Sequence, residues 1–473
     1  MLKFYNSRTN RIEVFHKTTE QIGIYSCGPT VYDKIHIGNL RTFIFSDFVA
    51  SLLEYLYPGN VKAIMNITDV DDKIINKLPS QDQETLRTFT DTYTRFFLSD
   101  LNKLLINRYD DNHMKVTDHI NDIEKFITTL ADKGYCYELD DGNIYFDSSK
   151  IENYPFPGFS RNAHDDYESE REIIRPDGVR DSRDFVLWKV PIKEEVSWSI
   201  KSPFSNRLIG GRPGWHIECS TLACKHLKHV NIHMGGEDLK FPHHTCEILQ
   251  SESANPEEKF GDYWLHVHFL TVDGKKMSKS LGNMINLEQL ISNKDNGGHS
   301  YNPYFLRYYF LTKHYRSLSD FSLPDLESFR DAFTNLQFLY ARVSKFRILP
   351  IEQCKTMFLK EALESILNDF NTSRALKSLT KKINKFLEQK ELTDWERNSL
   401  LSELTEFNTF MKILDPSLIN IPNNVETQMI ERQRLRKLGL FKQSDEIRTR
   451  LSQDYIIYDT NSDDSYLMII VKF

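Results

Sequence analysis

The sequence predicts an α/β fold: a doubly wound parallel sheet with an inserted subdomain, followed by an all-α helical bundle and a small C-terminal mixed domain. Three observations predict it. Short apolar runs alternate with helical stretches along the first part of the chain, the pattern of βαβ units in a parallel sheet. A segment at about 111–205, with a helix, a hairpin and a charged loop of its own, interrupts that alternation. From about Leu323 the pattern changes to long amphipathic helices.

Taken in order, Ile22 to Tyr25 is an apolar run that ends in the turn signal Cys27-Gly28-Pro29. Helical periodicity follows from about Gly38, with Leu40, Phe43, Ile44, Phe48, Leu52 and Leu53 on one side. Val61 to Ile67 reads as a second buried strand, closed by Thr68-Asp69. The insertion opens with a helix near Ile120–Lys133, turns a hairpin at Asp140-Asp141-Gly142 and carries a charged loop from Arg161 to Arg183. Val230–His233 and Trp264–Leu270 are further strands. Leu376, Leu379, Ile383, Phe386 and Leu387 mark one face of a bundle helix, and Ile421-Pro422-Asn423-Asn424 is a linker. The apolar end, Tyr466 to Phe473, is expected to add an edge strand. The resulting division is 1–322 with the insertion at about 111–205, then 323–420, then 421–473.

Composition narrows the function classes. Sixty Lys+Arg against 67 Asp+Glu leave a net charge of −7, which argues against a histone-like positive coat but leaves room for a local nucleic-acid patch. No run of about eighteen apolar residues suggests a membrane span. The polar start MLKFYNSRTN lacks the apolar core of a secretion signal. A soluble, cytoplasmic protein with no membrane partner is expected. In such a chain six cysteines point to metal or catalysis rather than disulfides. Eight of the fifteen histidines lie between His216 and His268, and three cysteines share that stretch, as a metal site would produce.

Three constellations carry chemistry. His36-Ile37-Gly38-Asn39 stands at a strand-to-helix junction, where free backbone N–H groups and the helix dipole suit a phosphate. His36 could donate to a phosphoryl oxygen, and Gly38 lets a nucleotide approach. Lys275-Lys276-Met277-Ser278-Lys279-Ser280 is a cationic loop whose Lys276 and Lys279 could neutralise charge on a triphosphate. The metal candidates are Cys27, Cys219, Cys224, His243, His244, Cys246 and Glu247. His243 and Glu247 share a helix face, and thiolate, imidazole and carboxylate together suit Zn²⁺. Spacing does not choose among them.

HIGN followed much later by KMSKS resembles the paired signatures of the class I aminoacyl-tRNA synthetases, which have a Rossmann-like catalytic domain. The stretches from Tyr25 to Tyr32, Gly214 to Ser220 and Phe241 to His244 resemble the cysteinyl-tRNA synthetases within that class. The resemblance covers nearly the whole chain. It extends to Asn66–Lys73 beside the active site, to His233–Asp238 as a nucleotide-side loop and to Asp369–Leu376 in the helical domain. It implies a catalytic domain at 1–322, a helical bundle at 323–420 and an anticodon-binding region at 421–473. It also implies activation of L-cysteine with ATP and Mg²⁺, and transfer to tRNA(Cys) by an enzyme expected to be a monomer. Cys27, Cys219, His243 and Glu247 would hold one zinc. His36, Gly38, Asn39, Gly235, Gly236, Asp238, Lys276 and Lys279 would handle ATP, with His36, Lys276 and Lys279 catalytic. Thr68 and Trp215 would contact the amino acid.

Selection of cysteine over serine would follow from a zinc bond that a thiolate makes and an alcohol makes poorly. Two departures stand out: Asn39 replaces the last histidine of the usual HIGH, and Thr245-Cys246 stands where the family commonly has Glu-Asn. Cys246 is expected not to bind the metal. Between Met429 and Lys442, five Lys+Arg face one acid, Glu431, which suits RNA. Two rival readings are a related ligase joining cysteine to an amino sugar, and a zinc-bearing RNA-binding paralogue. The basic terminal segment disfavours the first, and intact His36, Lys276 and Lys279 disfavour the second.

Overall fold

In a computed structural model, residues 1–151, 155–156, 177–191, 193–278, 281–292, 300–344, 358–388, 392–419 and 423–452 are described. Lys279, most of the loop from Arg161 to Arg183, Ile421-Pro422 and the apolar end from Tyr466 lie outside them. The chain folds as two compact units, 1–270 with 316–318, and 271–315 with 319–473.

The first unit starts with a hairpin, β1 (Lys3–Asn6) and β2 (Arg11–Val14), then β3 (Ile22–Ser26), α1 (Ile37–Leu56) and β4 (Val61–Ile67). The helices α2 (Asp72–Ile75) and α3 (Gln83–Lys103) lead to β5 (His113–Lys115) and α4 (Ile120–Asp132). Next come β6 (Cys136–Glu138), β7 (Ile144–Phe146), β8 (Phe185–Lys189), β9 (Trp198–Lys201) and β10 (Leu208–Pro213). The unit continues with α5 (Trp215–His226), β11 (Ile232–Gly236), α6 (Thr245–Ala254) and β12 (Tyr263–Val267).

Strands β12-β11-β3-β4-β5 form one sheet in that order, every pairing parallel. Numbered along the chain this is the 3-2-1-4-5 order of a Rossmann-type sheet, whose direction of winding reverses between β3 and β11. Ligands of such sheets bind outside the carboxyl ends at that reversal. The apolar runs follow from burial: β3 and β12 are buried at every residue, so neither needs a polar face. Helix α1 is buried over most of its surface, not one side alone.

The inserted strands make a separate antiparallel sheet, β6-β7-β8-β10-β9. Its first hairpin turns at Gly142, where φ is +90° and a side chain would be strained. The third sheet strand, β5, falls within the segment that the sequence assigns to the insertion, and β10 runs on to Pro213. The insertion sheet is tied down by Asp72, which pairs with Lys189 of β8 at 2.9 Å and with Arg212 of β10.

In the second unit, β13 (Leu270–Val272), β14 (Lys275–Lys276) and β15 (Ser319–Phe321) form a small sheet ordered β14-β13-β15. Helices at 303–312, 330–344, 372–388 and 394–411 follow, the third burying Ala375, Leu376, Leu379 and Ile383. A last pair, Asn423–Lys437 and Phe441–Leu451, packs around Val425, Met429, Leu435, Ile447 and Leu451. Among the described residues no helix is long and apolar enough to cross a membrane.

Candidate metal centre and nucleotide loops

Cys27 leaves the end of β3 at the reversal point of the sheet, and its N–H bonds to Met234 O of β11 at 3.1 Å. Cys219 projects from α5, while His243 and Glu247 come from the turn before α6 and its first turn. One donor atom from each of these four lies within 4.8 Å of all the others, and all four residues are buried. Sγ of Cys27 is 3.8 Å from Sγ of Cys219 and 3.6 Å from Oε1 of Glu247, which in turn is 3.0 Å from Nε2 of His243. With Zn–S bonds of about 2.3 Å, two sulfurs on a tetrahedral zinc stand about 3.8 Å apart. Spacing and donor chemistry both fit that ion.

The buried donors already share charge. Burial raises the Cys27 thiol, and its neighbour Cys219 raises it further. At Cys219 burial is outweighed by the hydrogen bond from Cys27 and by His243, bringing the thiol down to about 6. Burial lowers His243, but Glu247 and Cys219 lift it to about 10. Glu247 falls to about 2 despite burial, because His233 and His243 face it.

A second set, Cys27, His233, His244 and Glu247, meets the same 4.8 Å limit and shares two members with the first. His233 Nε2 sits 2.8 Å from the other carboxylate oxygen of Glu247, His244 Nε2 is 3.3 Å from Cys27 Sγ, and His244 Nδ1 is 2.8 Å from His266 Nε2. Such partners behind a ligand fix its orientation. Cys246 belongs to neither set. Cys224, five positions after Cys219 on the helix and so about 140° round it, is exposed. His233, read from the sequence as a strand end and the start of the nucleotide-side loop, is absent from the metal candidates, although an ionisable ring inside a buried strand was a legible signal.

Trp215 stacks on His243, ring centroids 4.2 Å apart and planes at 24°. Thr68 is buried just past β4. Its hydroxyl donates to Oε2 of Glu218 at 2.9 Å and accepts from Asn66 Nδ2 at 3.0 Å, and Asn66 Oδ1 receives the Gly28 N–H at 2.8 Å. Burial, reinforced by Cys219, raises Glu218 well above the ordinary carboxylate range. Sequence reading gave no role to Glu218 or Asn66. Gly28 has no alternative: a Cβ there would lie 1.7 Å from Asn66 O.

His36 is the N-cap of α1. Its Nδ1 accepts from Gly38 N at 3.1 Å, and Asn39 Oδ1 accepts from His36 N at 3.4 Å, completing a capping box. The N–H groups of Asn39 and Leu40 bond to His36 O. The expectation of a first turn rich in free donors is therefore corrected: the cap consumes those of Gly38, Asn39 and Leu40. An accepting Nδ1 places the proton of a neutral ring on Nε2, and burial lowers the ring's pKa, partly offset by Asp238.

At the end of β11, a Cβ on Gly235 would meet His244 Cε1 at 2.8 Å, and one on Gly236 would meet Asp238 Oδ1 at 2.4 Å. Both glycines thus make room for neighbours, and Asp238 is exposed. In the second unit, Lys276 is exposed on β14, opposite Thr271. Asn283 closes its loop by donating to Lys276 O at 3.2 Å and accepting from Ser278 N at 3.0 Å. Lys279 is outside the described residues. On the terminal helix pair Arg434 and Lys437 are exposed beside Leu438, Leu440 and Phe441, but Arg432, read as part of the basic surface, is buried.

Residues 13–331 match the family model described as the tRNA synthetases class I (C) catalytic domain. The chain is 35% identical to a cysteine–tRNA ligase of Oceanobacillus iheyensis, over 97% of each. It is 36% identical to one of Brachyspira hyodysenteriae, again over 97% of each. Among solved structures, a methionyl-tRNA synthetase of Mycobacterium tuberculosis with methionyl-adenylate aligns with TM-score 0.59 over 85% of this chain and 93% of that one. At 13% identity that likeness concerns the fold. Sheet order, buried donor set and near-full-length identity converge: this chain belongs to the cysteine–tRNA ligases, a family of class I aminoacyl-tRNA synthetases.

Proposed function

We propose that the chain joins the carboxylate of L-cysteine to the α-phosphate of ATP, delivered with Mg²⁺, releasing diphosphate. The cysteinyl group then passes to a 3′-terminal hydroxyl of tRNA(Cys), releasing AMP. The observation that carries this reading is the buried set Cys27, Cys219, His243 and Glu247 at the sheet's reversal point. Bound there, a zinc ion supplies a soft Lewis-acid position that favours a thiolate over an alcohol, separating cysteine from serine.

The chain's own residues do the rest. Trp215 holds the ring of His243 by stacking. Thr68 spends its only proton on Glu218, which leaves it an acceptor, suited to the α-ammonium of the amino acid. His36 keeps its proton on Nε2 and can donate it to a phosphate oxygen where negative charge grows. Gly38 adds no side chain beside that ring, and Asn39 holds the cap that orients it. Lys276 and Lys279 bring positive charge to the diphosphate as it leaves. Gly235, Gly236 and Asp238 line the nucleotide side by resemblance to the family. The terminal helix pair, with Arg434, Lys437 and Phe441 exposed, suits unpaired anticodon bases, which bind by charge and stacking.

The test is transfer of labelled cysteine to total tRNA with ATP and Mg²⁺, beside labelled serine. Charging with cysteine alone is expected. No charging, with cysteine-dependent ATP–diphosphate exchange intact, would favour the amino-sugar ligase.

A further inference from the structure

Arg41 lies on α1, five residues after His36, and is only 2% exposed. Its NH1 donates to His268 O at 2.7 Å and Phe269 O at 3.0 Å, and its NH2 donates to Ser317 O at 3.0 Å. Those carbonyls are not arbitrary. Phe269 immediately precedes β13, and Ser317 stands two residues before β15. Strands β13 and β15 are neighbours in the small sheet whose third strand, β14, carries Lys276. The polypeptide leaves the first unit after Leu270 and passes back through it at Arg316–Leu318. A single buried guanidinium therefore grips both crossings.

Burying a cation costs several kcal/mol unless its donors are satisfied, so an apolar side chain would fill the space more cheaply. A guanidinium presents five N–H groups in a rigid planar fork, whereas an ammonium is a point charge on a flexible stem. Only the fork can span two chain segments from one buried position in fixed geometry. Other contacts hold the same crossings: the Arg316 guanidinium lies 4.5 Å from the ring centre of Tyr5, and His268 Nε2 is 3.4 Å from Glu237 Oε2.

We propose that Arg41 is a positioning residue that fixes to α1 the two chain crossings at His268–Phe269 and Ser317, from which β13 and β15, the strands that share a sheet with Lys276, set out. Its effect on catalysis rests on the phosphate role of Lys276 and Lys279 proposed above. Its effect on the strand roots does not. Arg41→Lys retains charge but loses the fork, and Arg41→Met retains bulk alone.

The experiment measures both variants in the full-length zinc-loaded protein, by hydrogen exchange and by cysteine-dependent ATP–diphosphate exchange. For Arg41→Lys, amide protection is expected to fall at 268–272 and 316–321 and to persist in β3 and β4. The kcat should drop about 10- to 100-fold, while KM for cysteine and zinc content remain those of the parent. Unchanged protection at the strand roots overturns the proposal. So does lost protection with an unchanged kcat, or a uniform loss across β3, β4 and zinc binding, which marks general packing. Should Arg41→Met fail to fold, Arg41→Lys still decides. A parent protein without cysteine-dependent exchange refutes the proposed activity instead, and the protection at 268–272 and 316–321 then decides the role of Arg41.

Discussion

Cys219 and Cys246 both bury a thiol near Glu247, yet only Cys219 joins a donor set. Cys219→Ser is expected to lose zinc and to lower discrimination between cysteine and serine by about 10²-fold or more. Cys246→Ser should retain both. Metal analysis together with competitive activation assays checks the pair, and zinc loss in Cys246→Ser would reverse the assignment. Lys279→Ala should separate from both, with kcat for activation falling about 10²–10³-fold and zinc content unchanged. Equal loss of zinc there would refute the division between metal and phosphate roles.

At the scale of elements, the joint between β3 and β4 leaves no room for a side chain at Gly28. Gly28→Ala would press a methyl group onto Asn66 O, an overpacking cost of about 1–3 kcal/mol. Thermal unfolding should register it together with weaker zinc retention, because Cys27 is the adjacent residue. Past the end of β4, Asp69 accepts from Thr117 N at 3.0 Å and Thr117 Oγ1 at 2.6 Å, tying the strand to the turn before α4. Burial pushes its carboxyl up to about 6, against the hydrogen bonds that lower it. An unfolded Asp titrates near 3.9, so between about pH 4 and 6 the folded state binds the proton more tightly. Asp69 therefore adds stability as pH falls through that window, by up to about 1.4 kcal/mol per unit, and imposes its full cost above it. Urea unfolding of the parent and Asp69→Asn at several pH values should show this slope in the parent alone.

For the whole molecule, a net charge of −7 coexists with a basic terminal helix pair. Association with tRNA should then depend on local charge. KM for tRNA is expected to rise about tenfold between about 50 and 200 mM salt, while KM for cysteine stays flat. Replacing Arg434 and Lys437 by Gln should reduce that slope, and an unaltered slope would place the RNA contact elsewhere. The parallel sheet was legible because β3 and β4 are apolar runs at βαβ spacing. Strand β5 was not: His113-Met114-Lys115 is three residues long and lacks an apolar run. Strand order is likewise silent in sequence, since it depends on crossovers between distant segments. Motifs supplied the donor quartet, but His233 hid inside a strand and Glu218 beside a cysteine. Arg432 misled because charge alone does not tell which side of a helix faces the interior.

The reach of Arg41 also bears on the order in which the chain can be made. Its Ser317 partner lies 276 residues further along. A ribosome that has released only residues 1–270 has delivered the entire parallel sheet, yet the guanidinium still lacks one acceptor. That one bond can therefore form only after residues 271–316 have been made. A chain truncated after residue 270 should therefore keep the two acceptors at His268 and Phe269 but lack the third, and its amides at 268–269 are expected to exchange faster than in the full-length protein.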